Sequence, residues 1–235
     1  GDWQGSGTLR QATTVTMSPD STIDASATDN GDGGKVVLWS DVHNTASETK
    51  VSGAIYARAG INGGDGGQIE TSGHMLDANN ATGDASAPHG RGGEWLFDPY
   101  NVTITSANAR GGFDNNSPTT WVATANSSTI LNTSIQDKLN AGTSVKVSTS
   151  GAGTDAGNIT VSAPISSTNI NSSLSLIAEG DIAINDNINI ASGSGQTFLA
   201  NAVNNISVSS TKSITTQGAN VQLLSNSTSS STSTN

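Results

Sequence analysis

Between residues 158 and 224 the apolar positions fall in short alternating runs that return at a nearly constant interval. Asn158-Ile159-Thr160-Val161, followed by Ile165, is echoed by Asp181-Ile182-Ala183-Ile184 with Ile188, and again by Asn205-Ile206-Ser207-Val208 with Ile214. From Ile159 to Ile182 to Ile206 the steps are 23 and 24 residues. A second run keeps phase with the first: Leu174-Ser175-Leu176, Phe198-Leu199-Ala200 and Val221-Gln222-Leu223, at steps of 24 and 23. Alternation at i, i+2 is the period of a half-buried strand. Clusters of Gly, Asn, Asp and Ser between the runs are turn chemistry. The pattern predicts two or three short strands per unit, with Ile159, Ile182 and Ile206 in one inward column. Val161, Ile184 and Val208 form the column beside it.

The first hundred residues carry a looser echo. Gly33-Gly34-Lys35 precedes Val36-Val37-Leu38-Trp39, Gly66-Gly67-Gln68 precedes Ile69-Glu70-Thr71, and Gly92-Gly93-Glu94 precedes Trp95-Leu96-Phe97. The glycine pairs are spaced 33 and 26 residues apart. They are expected to supply positive φ at a sharp corner and room for close stacking. Strands every eight or so residues, in units of 23–33, describe a solenoid. The expectation is an all-β, right-handed parallel β-helix, the hand following the general chirality of strand crossovers. An antiparallel sandwich is the alternative for many short strands.

Four stretches follow. Residues 1–105 hold units with Gly-Gly corners, and 106–143 an irregular loop plus a short helix near 134–141. Residues 144–224 are the regular 23–24-residue units, and 225–235 a Ser/Thr-rich disordered tail or linker. Residues 107–117, rich in Gly and Asn, read as a loop leaving the stack. For the helix, Ser134 is the expected N-cap, Ile135 and Leu139 share a face, and Gly142 ends it.

Composition narrows the function classes. The chain of 235 residues is 33% apolar, 4% aromatic and 12% charged, with 27 Gly, 5 Pro and no Cys. Ordinary globular domains are richer in both apolar and charged residues. A narrow apolar column flanked by stacked polar corners needs little of either. A net charge of −10 argues against nucleic acid as a partner, and no apolar run is long enough to span a membrane. Without Cys there are no disulfides, thiol nucleophiles or zinc-thiolate sites. The opening Gly1-Asp2-Trp3-Gln4 has no basic or apolar leader, so the chain reads as a segment of something longer.

Three segments, in order and at matching spacing, resemble a known family. They are Gly31-Asp32-Gly33-Gly34-Lys35-Val36-Val37-Leu38-Trp39-Ser40-Asp41, then Gly63-Gly64-Asp65-Gly66-Gly67-Gln68-Ile69-Glu70-Thr71-Ser72-Gly73-His74, then Gly93-Glu94-Trp95-Leu96-Phe97-Asp98-Pro99-Tyr100-Asn101-Val102-Thr103-Ile104. Together they resemble secreted exoproteins of the two-partner secretion pathway, the filamentous-haemagglutinin-like and high-molecular-weight adhesins of Gram-negative bacteria. The likeness covers about residues 28–105, and 130–224 agree in style. It implies a β-helical shaft, export through a partner outer-membrane transporter, a place outside the cell or on its surface, and a role in attachment or biofilm. The expected partner is a host or matrix receptor, a glycan among the candidates, and the open strand ladder at each end of a solenoid segment leads to the expectation of end-to-end or lateral self-association.

Candidate chemistry is sparse. His43, His74 and His89 fall in three separate turns with no Ser–Asp partner at a defensible spacing. The carboxylate pairs worth weighing are Asp32 with Asp65, at equivalent corners, and Asp181 with Asp186. Glycoside hydrolysis needs two such groups flanking one bond. Gly63-Gly64-Asp65-Gly66-Gly67 differs from the nine-residue calcium repeat in the place of its Asp and in not recurring. Thr13-Thr14-Val15-Thr16 and Thr103-Ile104-Thr105 are not repeated unit after unit, so they read as solvated strand faces rather than an ice-binding ladder. No catalytic residue, cofactor or metal ligand is assigned. Trp39 and Trp95, in equivalent strands, are expected to pack as core or over a corner. With Trp121 they are the residues for stacking on a sugar. The leading expectation is a structural shaft, not an enzyme; the alternative is a β-helix that degrades polysaccharide as a lyase or hydrolase.

Overall fold

The computed structural model describes residues 2–5, 7–106, 128–149, 156–191 and 195–226. Among these residues the fold is all-β apart from one helix and a single 3-10 turn at Trp3–Gly5, and every pair of strands is parallel. That excludes the antiparallel sandwich. Seven strands form the longest sheet, in chain order from one edge to the other: Lys35–Trp39, Gln68–Gly73, Glu94–Pro99, Ser144–Ser148, Leu174–Ala178, Thr197–Ala202 and Asn220–Ser225. Each unit of chain thus adds one strand beside the one before, about 4.8 Å further along.

The remaining strands of each unit build four shorter sheets in the same progression. Thr14–Met17, Glu48–Val51 and Met75–Asp77 form one, and Thr22–Asp24, Ala54–Tyr56 and Thr82–Asp84 another. Further along the chain, Ile165–Ser167, Ile188–Ile190 and Ile214–Thr216 pair in that order. The five-stranded sheet runs Ser128–Leu131, Val102–Thr105, Ile159–Val161, Ile182–Ile184, Ile206–Val208. Its first strand breaks chain order: 128–131, later in the chain, pairs with 102–105 on the side opposite Ile159–Val161.

Side chains bridge that junction. Leu76 N donates to Ser128 Oγ (2.9 Å), Leu131 N to Asn79 Oδ1 (2.8 Å), and Asn79 Nδ2 to Thr129 O (3.1 Å). The helix, Asn132–Asn140, follows at once. It packs on Ile165–Ser167 and Ser128–Leu131 and reaches the other way through Lys138 Nζ to Ala81 O (3.3 Å) and Ser134 Oγ to Asn79 O (3.2 Å). Ile135 and Leu139 are sealed beneath it as the spacing predicts. Ser134 is not the N-cap: Leu131 holds that place without a side-chain bond, and Gly142 closes the far end at φ 87°. The loop expected at 107–117 lies outside the described residues.

The core is a set of columns. In the long sheet Val36, Ile69, Trp95, Val145, Leu174, Phe198 and Val221 stand in register. In the five-stranded sheet Ile159, Ile182 and Ile206 align, with Val161, Ile184 and Val208 beside them. Both columns are as the repeat predicts. Full burial of one such aliphatic side chain is worth about 1.5–3 kcal/mol, so stability accumulates unit by unit. No helix among the described residues is long and apolar enough to cross a membrane.

The glycine pairs act differently from expectation. None of Gly33, Gly34, Gly66, Gly67, Gly92 or Gly93 has positive φ. They are there for closeness: a Cβ on Gly67 would overlap Gly34 O, and one on Gly93 would overlap Gly67 O. Consecutive units therefore meet backbone to backbone at this corner, and Gln68 N donates to Gly34 O (2.9 Å) as Glu94 N does to Gly67 O (3.0 Å).

Candidate functional site

The corner beside those glycines opens onto a groove of about 380 Å³ on the outer face of the long sheet. Asp65, Arg91, Gln68, Glu94, Ser144 and Ser173 are among the residues that line it. Register sets this arrangement, because Gln68, Glu94 and Ser144 are successive outward positions of one column. Asp65 is clamped by Arg91, whose Nε and Nη2 both donate to Oδ2 (2.9 and 2.5 Å) while its backbone N donates to Oδ1 (2.9 Å). Those bonds, the backbone one first, hold the Asp65 carboxyl below the usual range. Burial does the opposite to Glu94 and pushes it up, with Lys146 opposing. The groove thus holds two carboxylates with opposed tendencies, an arginine, an amide and hydroxyls. No aromatic ring lines it.

Asp32 and Asp65 do occupy equivalent corners, as the spacing predicts. Their chemistry is structural: Asp65 N donates to Asp32 Oδ1 (2.7 Å), just as Arg91 N donates to Asp65. Each carboxylate ties down the backbone of the next unit. Asp181 and Asp186 do not form a pair. Asp181 Oδ1 accepts from Asn205 N (3.0 Å), whereas Asp186 accepts from Lys212 Nζ (2.8 Å), which holds its carboxyl low. Asp181 belongs to a ladder that the sequence displays as an Asn or Asp ahead of each Ile run. Asn158 N donates to Asn101 Oδ1 (2.8 Å), Asp181 N to Asn158 Oδ1 (2.7 Å), and Asn205 N to Asp181 Oδ1.

The tryptophans part company. Trp95 faces inward and is fully buried, stacked on Phe97 (4.9 Å) with Nε1 donating to Thr71 Oγ1 (3.1 Å). Trp39 aligns with Ser72, not with Trp95, and so faces outward. It is nonetheless only 7% exposed, because the N-terminal segment lies over it: Gly5 sits against its ring, and Gln4 N reaches Glu70 Oε2 (2.8 Å). Trp121 lies outside the described residues.

His43 and His89 are exposed in turns, and His74 sits at the bend between Gln68–Gly73 and Met75–Asp77, where it is buried. Its Nδ1 faces Val42 O (3.0 Å), which can only accept, so Nδ1 carries the proton. The ring stacks on Tyr100 (4.6 Å), and Nε2 is buried without a partner. Around it runs a sealed polar seam: Thr49 Oγ1 donates to Ser72 O (2.7 Å), and Ser72 Oγ to Glu70 Oε1 (2.9 Å). Desolvation raises Glu70 above the ordinary carboxyl range. Sequence reasoning missed this seam, though the unbroken polar run Glu70-Thr71-Ser72 was its trace.

Among the described residues no group of three or more His, Asp or Glu is placed to hold a metal ion. Neither the protein-family models nor the curated proteins include a match to this chain.

Proposed function

We propose that the chain is a right-handed parallel β-helix forming a shaft segment of a secreted bacterial adhesin, exported by two-partner secretion and displayed at the cell surface. The observation that carries this reading is the ladder of side chains that satisfy the next unit rather than converge on a ligand. Asp32, Asp65, Asn101, Asn158 and Asp181 each spend an oxygen on the backbone N–H one unit further along. A surface built that way is a spacer. The three segments that resemble the exoprotein family supply the corners and first strands of the long sheet, which fits a shaft. In this reading the partners are an outer-membrane transporter of the same pathway and a host or matrix receptor, with attachment or biofilm as the outcome.

One observation favours a second reading, a polysaccharide-degrading β-helix. Paired carboxyls pushed in opposite directions mark acid and base roles in glycosidases, and Asp65 and Glu94 share a groove. Against it, Arg91 engages both oxygens of Asp65, and nothing aromatic is present to hold a sugar ring.

The test of the shaft reading is export. The chain fused behind a secretion domain of that pathway, and co-expressed with its partner transporter, should reach the medium in a folded, protease-resistant form. Retention in the periplasm under conditions where the secretion domain alone is exported would contradict it.

A further inference from the structure

Lys138 is the one lysine among the described residues that the fold takes out of water: it is 4% exposed, whereas Lys35, Lys50, Lys146 and Lys212 keep contact with solvent. Its Nζ reaches one acceptor among the described residues, Ala81 O at 3.3 Å, and stands over the face of Trp95, 4.5 Å from the ring centroid. A protonated amine brings three N–H donors, and one carbonyl leaves two of them without an oxygen. The ring face gives a cation some attraction. Burial outweighs it and lowers the amine to about 8, with Asp137 opposing.

The same lysine lines a cavity of about 200 Å³ between the helix Asn132–Asn140 and the turn that leads into Thr82–Asp84. Asn80, Thr82, Ser134 and Asp137 give that cavity polar walls, and Gly83 adds no side chain to fill it. The space is smaller than the pockets that hold drug-sized ligands. An amine that sheds its proton readily, at the wall of a small polar cavity, is a nucleophile with room for its electrophile.

We infer that this cavity takes a short-chain hydroxyaldehyde, which Lys138 holds covalently as an imine. The Nζ lone pair attacks the carbonyl carbon, the N–C bond forms, and the π pair of the carbonyl moves to its oxygen. That oxygen takes up one proton and the nitrogen gives one up, leaving a carbinolamine. Its hydroxyl then takes a second proton and departs as water while the nitrogen lone pair closes the C=N bond. Loss of the last N–H proton completes the balance: amine and aldehyde become imine and water, with no oxidant or reductant. The carboxyl of Asp137, on the same cavity wall, is the group to lend and recover the proton that the departing water needs. The amide of Asn80 and the hydroxyls of Thr82 and Ser134 favour an aldehyde that carries a hydroxyl over an alkyl one.

The inference needs the fold alone, so its failure leaves the export and attachment reading untouched. The probe is glycolaldehyde with cyanoborohydride, which reduces each imine to a stable secondary amine. It is applied to the full chain at pH 7, and peptide mass spectrometry follows each lysine separately. At that pH an amine of about 8 is about one-tenth neutral, against fewer than about one in a thousand for an ordinary lysine. Lys138 should be labelled at least about tenfold faster than exposed Lys35, the remainder of that margin being taken by entry into the cavity. Lys212, paired with Asp186 Oδ1 (2.8 Å), should be slower still. Propionaldehyde, which lacks the hydroxyl, should show a several-fold smaller preference for Lys138. Asn80→Trp, at an exposed turn position on the cavity wall, should bring Lys138 down to the rate of Lys35 while thermal unfolding stays as in the wild type. A Lys138 no faster than Lys35, or a preference that survives Asn80→Trp, would overturn the site. So would a Lys138 rate that climbs with urea below the unfolding transition, since the amine would then react only when the fold opens. An equal preference with propionaldehyde would overturn the hydroxyaldehyde as its ligand.

Discussion

At Trp95 the column of the long sheet changes from Val36 and Ile69 to an indole, and the opposing column compensates. Ile23, Ile55 and Gly83 are in register, and a Cβ on Gly83 would fall inside the Trp95 ring. Volume moved from one sheet to the other within a single unit. Trp95→Ile should therefore open a cavity costing about 3 kcal/mol, and Gly83→Ile should cost at least as much by overlap. The double variant should recover about 2 kcal/mol of the sum, a coupling that denaturant unfolding of the four proteins would measure.

Lys138 sits beside the same ring, its ammonium 4.5 Å from the Trp95 centroid, and burial lowers it to about 8. Between that value and the ordinary 10.5, the unfolded chain binds a proton that the folded chain does not, so wild-type stability should rise with pH across this window. Lys138→Met keeps the stem and removes the charge. Its advantage over wild type should be present at pH 7 and should shrink as pH climbs from 8 toward 10.5. Unfolding curves for both proteins at the two ends of that window check the sign. Neither Gly83 nor Lys138 was legible beforehand, because alternation names inward positions but not which side chain of the facing sheet gives way.

The elements themselves were more legible. A repeat in the sequence is a repeat of the backbone, so the 23- and 24-residue steps located the strands from Ile159 onward and their register. The Asn or Asp ahead of each run marked a corner, though its bond to the following unit needed coordinates to see. Asn158→Ala should cost about 1–2 kcal/mol, since Asp181 N loses its partner (2.7 Å) while half-buried. Asn158→Asp should cost far less, because a carboxylate accepts the same bond. Thermal unfolding of the two variants separates them.

What alternation could not give was the order of strands. Nothing in Ser128-Thr129-Ile130-Leu131 says that it pairs on the side of Val102–Thr105 opposite Ile159–Val161. The helix that follows was visible from Ile135 and Leu139 at i, i+4, but its place between two sheets was not. Trp39 is buried as expected and in the expected strand, but it faces outward, and its cover comes from Gln4 and Gly5, more than thirty residues earlier, which alternation does not reveal.

Across the described residues, five parallel sheets each add strands in chain order, Ser128–Leu131 excepted, and polar side chains at their corners bond the next unit. The groove at Asp65, Arg91 and Glu94 is the place where chemistry could interrupt that plan. The candidate carboxylates of the sequence led to it through Asp65 but not to Glu94, whose raised carboxyl comes from burial on a face that reads as solvated. A spacer leaves this groove idle, and an enzyme requires it. The direct measurement is the chain length of a panel of acidic and neutral polysaccharides, followed by light scattering during incubation with the intact chain and with Glu94→Gln. The shaft account predicts no shortening by either protein. Shortening by the wild-type chain that Glu94→Gln abolishes would contradict it and make the groove an active site.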